Sequence, residues 1–281
     1  METFREIEHH RTWRDRLISD ILKTYFALSE PLRLRLARRH WEQTMQHPAK
    51  KQNPLVTIII PTYYRGKLLA EQCLPPILAQ TYKNIEVLVI GDGRIDNTRE
   101  LVASIGDPRL CFIDEPEYTH YPKETKSRWF VGGVPARNKG LASAHGDWIA
   151  HVDDDDVYTP DHVESLLRFA QAGNYELVSG CSLAIRDGKE LLVDVRDHTP
   201  RIGGHETWLH RSYLKLFRYN IHSWRKGWNK PQDLDRQERM IRAGVRFGFL
   251  DKVVTKIPPR PGQTTVGVDA LDSSRYTHDP A

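Results

Sequence analysis

Short apolar runs, rich in β-branched residues, alternate with stretches of helical spacing along most of this chain. Leu55-Val56-Thr57-Ile58-Ile59-Ile60 is the first run, and Ile85-Glu86-Val87-Leu88-Val89-Ile90 the second. Arg109-Leu110-Cys111-Phe112-Ile113 and residues 147–152 follow. Runs this short and this apolar fit strands covered on both faces. Helices are predicted between them, at about 68–80, 98–105 and 136–144. The order β-α-β-α-β builds a twisted parallel sheet flanked by helices. Further on, a helix is predicted over 160–172. Strands follow at 177–185 and 190–195, joined by the Asp187-Gly188 turn. Trp208, Leu209, Tyr213, Leu214 and Phe217 suggest another helix. A last helix, 233–243, is closed by Gly244, and strands are expected at 247–250 and 253–257.

Before the first strand the period is helical. Trp13, Leu17, Ile21 and Tyr25 recur four apart, with Ile18, Leu22 and Phe26 beside them. Ser29-Glu30-Pro31 predicts a break, and a second helix runs from Leu32 to about residue 45. That helix carries Arg33, Arg35, Arg38 and Arg39. A hairpin packed on the main domain, its arginines solvated, is the plainer expectation. The alternative is peripheral contact with an anionic membrane surface or an acidic partner. With the polar linker at 47–54, the domains divide as a helical extension and linker at 1–52, a main domain at 53–257 and a tail at 258–281.

Composition narrows the class. The chain has 281 residues and a formal net charge of +4. Residues 1–52 hold eleven Lys and Arg against seven Asp and Glu, so that segment carries the whole excess. A balance this small gives no ground for a nucleic-acid partner. Cys73, Cys111 and Cys181 are odd in number and far apart, as reduced thiols in a cytoplasmic protein would be. The first residues are charged, unlike a secretory signal, and no apolar run approaches a membrane span.

The strongest chemical signal is Asp153-Asp154-Asp155-Asp156, at the end of the fourth strand. The next helix is expected to start with Thr159 as its cap and Pro160 in its first position. Ligands of open α/β sheets bind at the carboxyl ends of the strands. Four adjacent carboxylates repel one another unless a cation or hydrogen-bond donors compensate. Such a turn offers hard oxygen ligands to Mn²⁺ or Mg²⁺, and these ions commonly share a substrate diphosphate. A solvated acidic turn is the bland alternative.

Four blocks of the chain together resemble the family 2 glycosyltransferases. They are 56–65 (VTIIIPTYYR), 86–98 (EVLVIGDGRIDNT), 136–161 (ARNKGLASAHGDWIAHVDDDDVYTPD) and 232–244 (QDLDRQERMIRAG). The resemblance implies a GT-A fold, a Rossmann-like and mostly parallel sheet with helices around it. It also implies a donor site for a nucleotide-diphosphate sugar, most simply a UDP-sugar. Pro61, Tyr63 and Arg65 at the first strand's end and Asp92 at the second would hold the nucleotide. Arg137 and Asn138 would lie near the diphosphate, although Arg137 could instead pair structurally with the acidic turn. Of the Asp-x-Asp motif, Asp153 and Asp154 would fall on the donor side, with a solvated side chain as the alternative for Asp154. Asp155 would bind Mn²⁺ or Mg²⁺, and Asp156 would cap the next helix or orient Asp155. Asp233 matches the general base of inverting members, with helix N-cap as its bland role; Gln232 stands where Glu is usual. His151, His162, His205, His210 and His222 receive no ligand role.

The activity so implied is metal-dependent transfer to an acceptor hydroxyl on a glycan, a lipid-linked sugar or another molecule. The acceptor side is expected from residues 114–134 and 200–230, where Trp208, Trp224 and Trp228 could stack on sugar faces, with packed core as their bland role. The competing readings are a non-catalytic nucleotide-sugar binding protein of the same fold and, less well matched, a nucleotidyltransferase. The latter needs a Gly-rich basic loop after the first strand, and Pro61-Thr62-Tyr63-Tyr64-Arg65 is not one.

Overall fold

In the computed structural model, residues 12–44, 52–93, 96–186, 188–193, 199–226 and 231–259 are described, and the apolar runs join in one sheet. In chain order its strands are β1 (Val56–Thr62), β2 (Ile85–Gly93), β3 (Leu110–Pro116), β4 (Trp148–His151), β5 (Val157–Tyr158), β6 (Leu177–Arg186), β7 (Lys189–Val193), β8 (Leu209–Arg211) and β9 (Phe247–Ile257). Their spatial order is β3-β2-β1-β4-β8-β6-β9-β5, with β7 paired to β6. The first four strands are parallel, as the alternation of strands and helices requires. Beyond β4 the sheet is mixed: β8 is antiparallel to β4 and β6, and β9 is parallel to β6. The two late strands expected from the sequence are one strand, β9, whose pairing with β6 shifts register near Cys181.

Strand alternation explains how β1 serves two cores. Ile58 and Ile60 point into one cluster, with Leu69, Leu74 and Ile77 from the helical stretch at 66–78. Ile59 points into the other, with Val134, Ala136 and Leu141 from the helix Val134–Ser143. That helix lies so close to β1 that a Cβ on Gly140 would come within 2.4 Å of Ile59 Cγ2, so only glycine fits. The stretch at 66–78 contains a π-turn, Leu69–Cys73, where the Leu74 N–H donates to the Leu69 carbonyl. Pro75 and Pro76 follow it without N–H groups.

Numbered in chain order, the longer helices are α1 (Trp13–Thr44), α2 (Thr98–Ile105), α3 (Val134–Ser143), α4 (His162–Ala172) and α5 (Gln232–Ala243). α1 corrects the sequence reading, because it is one helix with Pro31 inside it rather than a hairpin broken there. Buried anchors flank the proline and hold the helix through it. Glu30 pairs with Arg239 of α5 at 2.5 Å, and Leu34 is fully buried in a third cluster with Leu177, Trp208, Phe217 and Met240. Arg38 is not solvated either, since its guanidinium makes two hydrogen bonds to Glu176, both 2.6 Å. Arg33, Arg35 and Arg39 are exposed.

Two further expectations change. The apolar residues at 208–217 form β8 and a 3₁₀ turn, Ser212–Leu216, because Leu209 and Leu214 turn into different clusters. Helix α4 starts at His162, with Asp161 rather than Thr159 in the N-cap position. The Thr159 hydroxyl donates to the Val254 carbonyl instead, at 3.1 Å. Asp156 therefore caps no helix. Among the described residues no helix is long and apolar enough to cross a membrane.

Candidate active site

A cleft of about 710 Å³ opens at the carboxyl ends of β1, β2 and β4. Its lining gathers Pro61 from the end of β1, Tyr63 and Arg65 after it, Asp92 from β2, Arg137 from α3, Asp153, Asp154 and Asp155 after β4, and Asp233 from the first turn of α5. Residues as far apart in the sequence as Pro61 and Asp233 thus meet in one space. Asn138 is the exception. It is absent from the lining, and its side-chain amide pairs with the Tyr219 backbone in both directions at 2.9 Å. Arg94, Ile95 and Trp228 fall outside the described residues.

The acidic turn is an ordered structure. Asp154, allowed to be solvated on sequence grounds, is buried and accepts from the Thr62 hydroxyl and from Arg65, both at 2.8 Å. This fixes the turn to the end of β1. Burial pushes the Asp154 carboxyl up, Arg65 pulls it back, and Asp155 raises it again. Asp156 is pushed well above the ordinary carboxylate range, by burial first and then by the charges of Asp153 and Asp155. Asp153, Asp155 and Asp156 each present an oxygen within 4.8 Å of the others. Three hard oxygens this close suit Mn²⁺ or Mg²⁺, and a divalent charge would relieve the repulsion that the raised Asp156 records. The sequence did not single out Asp156 as a ligand.

The cations around this turn are held by it. Arg137 Nη2 donates to Asp153 at 2.5 Å and Nη1 to the Gly132 carbonyl at 3.1 Å. Gly133, at φ +74°, lets the chain pass here, since a Cβ would sit 2.6 Å from Arg137 Nη1. The structural ion pair weighed for Arg137 is what the structure contains, and it places the guanidinium on the cleft wall. Asp92 accepts from the Tyr121 hydroxyl at 3.1 Å, and burial raises its carboxyl. A Cβ on Gly91 would come within 3.1 Å of the Phe112 ring.

On the opposite element, Pro231 occupies the N-cap position of α5 and Asp233 the first turn, so capping is not the role of Asp233. The helix start leaves backbone N–H groups free to face its carboxylate. Burial and the charge of Asp153 raise the Asp233 carboxyl, while Arg137 and the N–H of Leu234 draw it down. Gln232 ties the helix start to the cleft wall: its backbone N–H donates to the Phe130 carbonyl at 3.0 Å and its amide to that of Gly132 at 2.5 Å. At the cleft wall, which His205 lines, His151, His205 and His210 share a buried network with Tyr219 and Arg236. Burial, reinforced by Arg236, holds all three imidazoles well below their ordinary pKa, hence neutral. They position the β4 end against α5. His162 is buried, stacks on Tyr158 and is lowered to about 3 by burial.

Glu206 is a cleft carboxylate that the sequence did not reveal, as is Glu117. Burial raises it to about 7, with Asp153 and Asp233 adding to the rise against its hydrogen bond from Ser182. The available signal was only an acid inside the expected acceptor segment. Trp208, weighed as a sugar platform against packed core, is core, with its indole N–H donating to the Gly203 carbonyl at 2.8 Å. Trp224 packs against the second cluster and does not line the cleft, whereas Trp129 does. The sign of the Glu206 shift gives a test. A carboxyl raised from its ordinary 4.5 to about 7 binds more protons folded than unfolded between those values, so its contribution to stability is lost as pH rises through that window. Glu206→Gln should flatten the fall in Tm across it and raise Tm on the alkaline side. Parallel Tm–pH curves for the two proteins would remove this role.

The sequence profile described as Glycosyl transferase family 2 matches residues 57–254, well over half of the chain. Among curated proteins, glycosyltransferase GlyG of Streptococcus pneumoniae is 32% identical over 128 residues, 45% of this chain and 38% of that protein. The succinoglycan biosynthesis protein ExoO of Rhizobium meliloti is 31% identical over 148 residues, 52% of this chain and 39% of ExoO. The chain thus spans about two fifths of the length of these relatives. S. aureus TarS 1–349, solved with UDP-GlcNAc, superposes with TM-score 0.55 at 17% identity, over 74% of this chain and 60% of that one. The mannosyltransferase PcManGT from Pyrobaculum calidifontis, solved with GDP-Man and Mn²⁺, gives 0.53 at 19%, over 86% and 68%. The fold is a glycosyltransferase fold of the GT-A class. The chain belongs to glycosyl transferase family 2.

Proposed function

We propose that this chain transfers a sugar from a nucleotide-diphosphate donor to an acceptor hydroxyl, with inversion at the anomeric carbon. One observation carries the reading: clustered carboxylates on the β4 turn and Asp233 on α5 line the same cleft. In this reading Pro61, Tyr63 and Asp92 bind the nucleoside, and Asp155 with Asp153 or Asp156 holds Mn²⁺ or Mg²⁺. The bound ion would offset charge on the departing diphosphate. Arg137, already poised on Asp153, shifts toward the diphosphate as donor enters. Asn138 acts by positioning Tyr219 rather than by touching the donor. Asp233 accepts the acceptor's proton as its oxygen attacks the anomeric carbon.

The relatives named for glycosyl transfer, and the neighbours solved with UDP-GlcNAc and with GDP-Man and Mn²⁺, support a nucleotide-sugar donor. A UDP-sugar is our first choice of donor. The acceptor is a glycan, a lipid-linked sugar or another hydroxyl compound, entering along Trp129 and Glu206. The division into an extension at 1–52, a catalytic domain at 53–257 and a tail belongs to this proposal, as does a cytoplasmic location. A screen of UDP-, GDP- and dTDP-sugars with Mn²⁺ or Mg²⁺, read by melting shift and slow donor hydrolysis, tests it. We expect one nucleotide class to stabilise the fold and to be hydrolysed. Stabilisation without turnover, even with a range of hydroxyl acceptors, would favour a non-catalytic binding protein. No response to any of them would refute a nucleotide-sugar site.

A further inference from the structure

Helix α1 has its faces the unusual way round. Towards the protein it turns Asp15, Ser19 and Glu30 as well as Leu34, all buried. Towards solvent it turns Trp13, Leu17, Ile21, Tyr25, Leu28, Leu32 and Leu36, each 51–76% exposed. Leu17, Ile21, Tyr25, Leu28 and Leu32 fall within a sector of about 80° at 3.6 residues per turn. The ridge from Trp13 to Leu36 is about 35 Å long at 1.5 Å per residue. An apolar strip this long on a soluble surface marks an interaction site.

Charge is sorted in the same way. The inward acids are neutralised by the protein, Asp15 by Arg225 and Glu30 by Arg239. The exposed residues of α1 include Arg14, Arg16, Lys23, Arg33, Arg35 and Arg39 against Asp20 and Glu42, and of these cations Arg14, Arg35 and Arg39 share the ridge's side of the helix. Arg14 lies at one end of the apolar sector and Arg35 and Arg39 at the other, in the same angular range. A second copy fits this surface poorly. The four–three spacing Ile18, Ile21, Tyr25, Leu28, Leu32 covers about two heptads, fewer than the three or four of a coiled coil. Two-fold pairing in either direction would also bring the end arginines together. A protruding ridge of large apolar residues, with aromatic rings and long arginine stems beside it, matches a fluid anionic interface.

We propose that α1 docks this protein on an anionic lipid surface. The ridge enters the boundary between headgroups and acyl chains, and Arg14, Arg35 and Arg39 meet the phosphates. Arg38 takes no part, since it is bound to Glu176. The proposal stands independently of the sugar-transfer reading. α1 packs on α5 through Glu30 and Arg239, so docking would fix the orientation of the helix that carries Asp233 relative to the membrane.

The test is sedimentation of the full chain with sucrose-loaded vesicles. One set is phosphatidylcholine alone, the other phosphatidylcholine and phosphatidylglycerol in equal parts. We expect binding to the mixed vesicles and little to the neutral ones. The combined variant Ile21→Ser, Leu28→Ser, Leu32→Ser changes only exposed side chains and should keep the wild-type melting transition. Its partition coefficient should fall at least about tenfold, given the apolar area withheld from the interface. The variant Arg14→Gln, Arg35→Gln, Arg39→Gln should lose up to about fivefold per charge on the mixed vesicles. No binding by the wild type, equal binding to both vesicles, or an unchanged partition of the folded serine variant would overturn the proposal. A wild-type dimer that the serine variant dissociates, with no vesicle binding, would assign the ridge to a second copy; capture of an acidic protein without vesicle binding would assign it to that partner.

Discussion

Asp233→Asn is expected to lower turnover by about 10²- to 10⁴-fold, the usual contribution of a general base. That is about 3 to 5.5 kcal/mol at about 1.36 kcal/mol per decade. Donor affinity should be nearly unchanged, because a base acts on the acceptor's proton and is felt in the transition state. Asn keeps the size and the contacts to the helix-start N–H groups and removes only the basic oxygen, so Tm should hold. The raised carboxyl of Asp233 makes it a stronger base than a surface aspartate, and wild-type turnover should fall as pH drops through its pKa. Asp235→Asn is a contrast of another kind. Two residues on, it lies on another side of the helix from Asp233. Asp235 does point away, but into the interior, where it pairs with Lys226 and with Arg239 at 3.0 Å. Its loss should lower Tm and leave the pH profile of turnover in place. Full transfer activity in folded Asp233→Asn would put the base elsewhere.

Arg239→Met should cost about 3 to 5 kcal/mol of stability, the usual result of removing one partner from a buried ionic cluster. Arg239 is almost fully buried and joins Glu30 of α1, Asp235 of its own helix and the Arg218 carbonyl. Without it, Glu30 is left buried and unpaired, and burial already pushes that carboxyl up against the pull of Arg239. Deleting residues 1–46 should lower Tm for a related reason, since it removes Glu30 and uncovers the cluster around Leu34. The sheet is complete without this segment, but these contacts tie it to the core of the main domain. Chemical denaturation of the two proteins checks both. An Arg239→Met variant within about 1 kcal/mol of wild type would mean that the cluster behaves as a surface pair.

Much of the fold was legible because its signals are local. A run such as Ile58-Ile59-Ile60 can be covered on both faces only in the middle of a sheet, and the acidic turn after β4 follows from strand order alone. What was illegible depends on contacts between distant residues. Pro31 reads as a break until Glu30 and Leu34 find Arg239 and Met240 on the far side of the chain. Trp208 reads as a sugar platform until its N–H finds Gly203. Glu206 and Asp156 gain their character from burial beside other carboxylates, which no spacing records. Asn138 sits next to Arg137 in the sequence, yet one turns to the cleft and the other to the Tyr219 backbone, because neighbours on a helix face different ways.

The most direct measurement is calorimetric titration of UDP, and in parallel GDP, into wild type and Asp155→Ala, each with and without Mn²⁺. The acidic turn lies in the cleft beside Arg137, and its three clustered oxygens suit one divalent ion. Mn²⁺ should therefore strengthen nucleotide binding to the wild type by at least about tenfold, the scale on which even outer partners of a metal site act. In Asp155→Ala, folded by its melting transition, that enhancement should vanish while metal-free binding remains. The same Mn²⁺ enhancement in both proteins, or none in either, would contradict the reading of this cleft as a metal-assisted diphosphate site.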